Sequence, residues 1–231
     1  MKKQSKRYQE RAKLVEQGKR YQLDQAVKIL KQFPKNKFDE SVELSVQLGV
    51  DPAKAEENVR GTVQLPYGTG KPVKVLCICK GEEVKAAQAV GADFVGADEF
   101  ISKIQEGWLD FDVIVAHPDM MRDVSKLGRV LGPKGLMPSP KAGTVSTDVA
   151  KAVKEIKKGK IEFKSDKTGG LHVACGKMSF TEQALVENAK SVIRAIVDQR
   201  PSSVKGDYLK SVAIATTQGP GMKLETGSLV A

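Results

Sequence analysis

Residues 128–146 read GRVLGPKGLMPSPKAGTVS. The stretch holds four glycines, three prolines and three cations in nineteen residues, and no acid. Arg129, Lys134 and Lys141 therefore have no neighbouring carboxylate in sequence. Gly132, Gly135 and Gly143 let backbone amides approach a ligand closely, because no Cβ stands in the way. Pro133, Pro138 and Pro140 restrict the loop before anything binds. Cations, bare amides and a stiff backbone together suit contact with phosphate. A rigid connector whose cations face water explains the same residues equally well.

Other reactive residues are sparse. His117 ends an apolar run beside Pro118 and Asp119, a position suited to acid–base work, but Asp119 is better used as a helix cap. His172 is the only other histidine. No GxGxxG follows VLCIC, GPKG is not a Walker loop, and there is no nucleophile elbow. No catalytic residue is assigned on this basis. Cys77 and Cys79 are two apart and share a strand face, and Cys175 is remote; none has zinc-ligand spacing. All three are expected to be buried, reduced thiols, and no metal or cofactor is expected.

Charge says where a partner would bind. The chain of 231 residues carries a net +10, with 40% hydrophobic and 29% charged residues. Residues 1–37 contain twelve lysines and arginines against three acids, a net of +9, so almost all the excess lies there. Such a basic leader fits a phosphate-rich partner through counterion release. A solubilising tail is the alternative. Deleting the leader should flatten salt dependence and spare much of any RNA preference. No apolar run approaches the length of a membrane span, and the leader lacks the apolar core of a signal peptide. The expectation is a cytoplasmic protein that does not engage a membrane.

These residues must be held by elements, and the hydrophobic period identifies them. Asp24 is placed as the cap of a helix through QAVKILKQF, with Val27 and Leu30 on one face. Val42, Leu44, Val46 and Leu48 alternate with polar residues, which predicts a half-buried strand. Asp51 is placed as the cap of a short helix, DPAKAEENV. After Lys71 the pattern changes: VKVLCIC, ADFVG and FDVIVA are short apolar strands alternating with helices. That order predicts a parallel sheet with crossover helices. Asp119 is placed as the cap of a helix with Met120, Val124, Leu127 and Leu131 on one face. Thr147 is placed as the cap of another, with Val149, Val153 and Ile156 inward. From Lys160 alternation returns: KIEFKSD and LHVACGK are expected to pair as a hairpin around KTGG. TEQALVENAKSVIRAIVDQ is an amphipathic helix, and SVAIATTQGPGMKLE is read as the last strand. The predicted fold is an α+β outer domain, an antiparallel sheet with helices, formed by residues 1–66 plus 160–231. Residues 67–159 form an inserted α/β, Rossmann-like three-layer domain, joined through a two-stranded hinge.

GRVLGPKGLMPSPKAGTV, FDESVELSVQLGVDP, RGTVQLPYGTGK, KIEFKSDKTGGLHVACGKMSF and TTQGPGMKL resemble, in order, segments of the bacterial large-subunit ribosomal protein L-one family, the universal stalk proteins. The resemblance runs nearly end to end. It implies the same discontinuous two-domain layout and a non-enzymatic role. The implied partners are the large-subunit ribosomal RNA stalk near the tRNA exit site, exit-site tRNA whose release in deacylated form it assists, and the messenger of its own operon, which it represses. It implies a monomer when free. The implied RNA-binding residues are Lys37, Phe38, Ser41 and Glu43, with Thr217, Gln218, Gly219 and Pro220. The hairpin adds Asp166, Lys167 and Thr168, with His172 nearby. Arg129, Lys134 and Lys141 become a secondary RNA-facing loop. Taken singly, Phe38 also reads as a core aromatic and Gly219–Pro220 as an ordinary turn. Gln218 stands where the family often has Met. The reading set against all this is a nucleotide-binding enzyme built on the inner α/β block.

Overall fold

The computed structural model describes residues 4–16, 18–52 and 54–227, so Lys2 and Lys3 of the basic leader and Ala53 lie outside the described residues. The chain divides into two compact units, Met1–Gly70 with Ile161–Ala231, and Lys71–Lys160.

The first unit begins with α1 (Lys6–Ala12), capped by the Ser5 hydroxyl, which accepts from Tyr8 N. It continues through β1 (Arg20–Tyr21), α2 (Leu23–Lys31), β2 (Ser41–Leu48) and β3 (Arg60–Gln64). After the second unit come β7 (Lys160–Lys164), β8 (Gly170–Lys177), α8 (Glu182–Asp198), β9 (Leu209–Thr216) and β10 (Met222–Leu224). Five strands form one sheet in the order β1-β10-β9-β2-β8, and β3 pairs with β7 in a separate ribbon. β2 is antiparallel to both neighbours, β8 and β9. Its alternation does what the sequence predicts: Val42, Leu44, Val46 and Leu48 are buried. They share one core with Ala26, Val27 and Leu30 of α2 and with Leu185, Ala189, Val192, Ile193 and Ile196 of α8. Both helices therefore cover the same face of the sheet.

The second unit lies between. It contains β4 (Val75–Ile78), α3 (Glu82–Ala89), β5 (Phe94–Gly96), α4 (Asp98–Gln105), β6 (Val113–Ala116), α5 (Met121–Ser125), α6 (Gly128–Leu131) and α7 (Val149–Lys157). Its three strands are parallel, in the order β5-β4-β6. The continuous apolar run of β4 is used on both sides. Leu76 and Ile78 join a core with Phe100, Ile104, Val124 and Leu131, while Val75 and Cys77 join another with Ala87, Val153 and Ile156.

Several local expectations need correction. KIEFKSD and LHVACGK do not pair: β7 goes to β3 and β8 to β2. Ser165 explains the choice, since its N–H donates to Val59 O and its hydroxyl accepts from Val59 N. Alternation fixes which face a strand buries and leaves its partner open. The last strand is two strands, β9 and β10, joined by a turn at Thr217–Gly221 and paired antiparallel. Asp24 lies inside the first turn of α2, which Gln22 precedes without a side-chain cap; there its charge still complements the helix dipole. DPAKAEENV yields only a 3-10 turn, Ala55–Glu57, where the Glu57 carboxylate accepts from Asp51 N. The helix expected after Asp119 is broken into a 3-10 turn, α5 and α6, and its cap is the His117 ring, which accepts from Asp119 N. Asp148, not Thr147, caps α7, accepting from Lys151 N at 2.9 Å.

Candidate nucleic-acid interface

With α2 and α8 on one face of the five-stranded sheet, the other face carries the alternate residues of its strands. On β2 these are Ser41, Glu43, Ser45 and Gln47. Glu43 lies between two small residues, Ala174 and Ala215, and Ser45 lies between His172 and Ala213. Small neighbours leave the Glu43 carboxylate exposed as a hydrogen-bond acceptor. The Ser45 hydroxyl meets His172 Nδ1 at 3.1 Å. Ser41 Oγ accepts from Lys177 Nζ at 2.9 Å, which puts a cation on this face that sequence reasoning did not select. Ser45, Gln47 and Ser211 were likewise missed. Their signal was the strand alternation, read for its apolar half and not for its polar half.

At one end of β2 the turn after β9 meets the loop before β2. Ser41 N–H donates to Thr217 Oγ1 at 3.0 Å, and Thr217 N–H donates to Ser41 O at 3.1 Å. One lone pair of the Thr217 hydroxyl is thus already engaged. Gln218 N–H donates to Glu40 Oε1 at 3.1 Å, and the Gln218 amide oxygen accepts from Asn36 Nδ2 at 3.1 Å. A Cβ on Gly219 would lie 2.4 Å from Thr216 Oγ1 and 3.2 Å from the Phe33 ring, so the turn closes only on glycine. Pro220, the last residue of the expected set, is buried in the turn. Phe38 is 49% exposed, which removes the core-aromatic reading. Lys37 is exposed beside it. A cavity of about 500 Å³ opens there, with Lys31, Lys35 and Lys37 on its wall.

Beneath this end lies a feature the sequence hid. Arg11, from the basic leader, is 1% exposed and Glu40 3%. The guanidinium donates to both carboxylate oxygens, each at 2.9 Å, and to Pro34 O at 2.6 Å. It also stands 5.6 Å from the centre of the Phe33 ring. In sequence Arg11 is one cation among twelve in the leader, and nothing local distinguishes it.

At the far end of β2 sits the turn between β7 and β8. Asp166 Oδ1 accepts from Thr168 N at 2.7 Å, Thr168 Oγ1 at 2.7 Å and Gly170 N at 2.8 Å. These bonds, the Thr168 hydroxyl foremost, hold the Asp166 carboxyl below its ordinary range. Gln47 Nε2 donates to Thr168 O at 2.8 Å, tying the turn to β2. Lys167 is exposed at its tip. Six residue steps separate Ser41 from Gln47, so the two clusters stand about 20 Å apart along one strand.

The model of the ribosomal protein L1p/L10e family matches residues 30–220. A protein of Kosmotoga olearia named large ribosomal subunit protein uL1 is 54% identical over 230 residues, covering 100% of both chains. The chain belongs to the ribosomal protein L1p/L10e family. This is a family of structural, non-enzymatic proteins, which disfavours the nucleotide-binding enzyme.

Within this family member, the second unit's loop is well built. Arg129 lies on α6, Lys134 in the following turn and Lys141 in a 3-10 turn, and all three are exposed. The loop ends by running beside β6, where Ala116 N donates to Thr144 O and Ser146 N donates to Ala116 O. Gly143 closes the 3-10 turn in the left-handed conformation, with φ +66°. The His117 ring stands 3.3 Å from Glu83 and 3.3 Å from Asp119. Among the described residues no group of three or more His, Cys, Asp or Glu is placed to hold a metal. Cys77, Cys79 and Cys175 are free and buried. Burial pushes the Cys175 thiol up to about 12. Among the described residues no helix is long and apolar enough to cross a membrane.

Proposed function

We propose that this chain is a structural protein of the large ribosomal subunit, in the cytoplasm, that binds the ribosomal RNA stalk through the uncovered face of its five-stranded sheet. The observation that carries this reading is the two-sidedness of that sheet. One face is packed by α2 and α8. The other is a row of Ser41, Glu43, Ser45 and Gln47, with alanines on both sides of Glu43, an exposed Phe38 at one end and Lys167 at the other.

The chemistry suits folded RNA. A flat polar face about 20 Å long fits a wide, shallow groove that displays 2′-hydroxyls and base edges. Phe38 offers a plane against a sugar or base, and the backbone around Gly219 can meet 2′-hydroxyls and phosphates. Glu43 repels phosphate, so its use is to accept from a 2′-hydroxyl or a base amino group. Lys37 and Lys167 supply phosphate contacts. Asp166 and Thr168 serve RNA by shaping the turn that presents Lys167, and His172 completes the surface beside Ser45. The unit of residues Met1–Gly70 and Ile161–Ala231 acts as the principal RNA-binding domain. The loop with Arg129, Lys134 and Lys141 makes a secondary contact. On the same reading the protein acts as a monomer outside the ribosome, assists release of deacylated tRNA from the exit site, and represses its own operon messenger where that messenger offers the same RNA surface.

The test is a salt-titrated binding curve on a large-subunit stalk transcript and on an unrelated hairpin of equal length. The expected result is a preference for the stalk that persists at high salt. Equal, steeply salt-sensitive binding to both RNAs would leave only the basic leader acting and would withdraw the interface.

A further inference from the structure

Among the described residues, Arg11 is the one buried cation, and it comes from the segment that composition marks as a solvated basic leader. Its guanidinium reaches three places at once. It holds Pro34 O, in the loop that leads to Phe38. It holds both oxygens of Glu40, the residue immediately before β2. Through Glu40 Oε1 it reaches the backbone of Gln218, in the turn after β9. A second chain runs outside it, from Arg7 NH1 to Asn36 Oδ1 and from Asn36 Nδ2 to Gln218 Oε1, each at 3.1 Å. Both routes converge on the turn that, with Phe38, forms one end of the interface.

We propose that Arg11 is a positioning residue for RNA recognition: it holds the Phe38 loop and the Thr217–Gly219 turn together from behind, through Glu40, and touches no phosphate itself. The proposal rests on the reading of that surface as the RNA interface. The physics is that of a buried ion pair. Such a pair adds little net stability over apolar packing, but removing one partner leaves a desolvated charge. Without Arg11, Glu40 recovers water only if the loop carrying it opens. Phe38 lies two residues upstream and the Gln218 N–H is bonded to the same carboxylate, so both move with it. Full burial also separates Arg11 from the rest of the leader. Lys6 and Arg7 are exposed and available to phosphate, whereas Arg11 is not. On this proposal, losing the leader also lowers RNA preference, because the leader includes this residue.

The experiment measures binding of the stalk transcript and of the unrelated hairpin across a salt series, for the full chain and three variants. Arg11→Met is expected to weaken stalk binding on the order of tenfold or more, with hairpin binding and the slope of log K against log salt unchanged. Lys6→Met, an exposed control, should weaken both RNAs alike and reduce the slope by about one. Arg11→Met with Glu40→Gln leaves no charge to hydrate and keeps an amide oxygen for Gln218 N–H. It should fold as the parent does in a circular-dichroism melt and recover most of the preference, which keeps the test decisive if the single variant folds poorly. An unchanged stalk-to-hairpin ratio in Arg11→Met overturns the proposal. So does a uniform loss with a slope reduced by one, which would make Arg11 a phosphate contact, and so does a double variant no better than the single. If the parent chain itself shows no preference, the interface reading fails first, a result distinct from any of these.

Discussion

Phe38 and Thr217 stand on opposite sides of one hydrogen-bonded junction, yet they offer RNA different things. Phe38 offers surface: half of it is exposed. Thr217 offers a hydroxyl whose oxygen already accepts from Ser41 N, so its remaining capacity is limited and oriented. Phe38→Ala should weaken stalk-RNA binding by about 1–3 kcal/mol and leave the thermal melt unchanged. Thr217→Val should cost a similar amount, about 1–3 kcal/mol, while Thr217→Ser, which keeps the acceptor, should cost less. Filter binding at fixed salt decides both, and near-parental affinity in the two severe variants would remove this end of the surface. Gln218 is informative at the same scale. Its amide oxygen accepts from Asn36 Nδ2, a bond that a methionine at this position could not make. The family resemblance, not residue type, made Phe38 and Thr217 candidates, while the exposure of the one and the hydrogen bonds of the other were set by the folded chain.

At the scale of elements, the proposed interface rests on β2, whose two faces are made of different residues and to which both framing turns are anchored. The β7–β8 turn is anchored by a carboxylate. The Asp166 carboxyl is held below its ordinary value by the Thr168 hydroxyl, then by the Gly170 and Thr168 amides. A group whose folded pKa is depressed contributes order that is present above the unfolded value, about 3.9 for aspartate, and is lost as pH falls through the folded one. The turn should therefore keep its structure through neutral pH and loosen only in acid below the ordinary aspartate range. The Thr168 amide proton signal should follow that titration, and Asp166→Asn should abolish it. A Thr168 signal that titrates near the ordinary aspartate value would mean the carboxylate does not hold the turn. The sequence marks KTGG as a turn through its glycines. It does not say that the strands on either side part company there, because alternation within a strand is silent about which strand lies next to it.

For the whole molecule, the division into two compact units gives each its own core. If recognition belongs to the first, a chain in which a short Gly-Ser linker replaces residues Lys71–Lys160 should fold and keep a stalk-over-hairpin preference within about tenfold of the parent, each tenfold being about 1.4 kcal/mol. A linked chain that is folded by circular dichroism but shows no preference would assign recognition to the second unit or to both together.

By itself the sequence determined what is local and periodic. A period of two sorted β2 into an apolar and a polar face, a period near 3.6 selected the inward residues of α8, and continuous apolar runs marked the parallel strands of the second unit. Its ordered motifs were enough to indicate the family. Tertiary structure alone decided which strand lies beside which, that His117 and Asp148 rather than Asp119 and Thr147 cap their helices, and that Arg11 is buried. The reason is range. Burial patterns repeat within a few residues, whereas Arg11 meets Glu40 across 29 positions and Glu40 meets Gln218 across 178. Pairings over such distances depend on how the folded chain returns to itself, and no spacing within a segment records that.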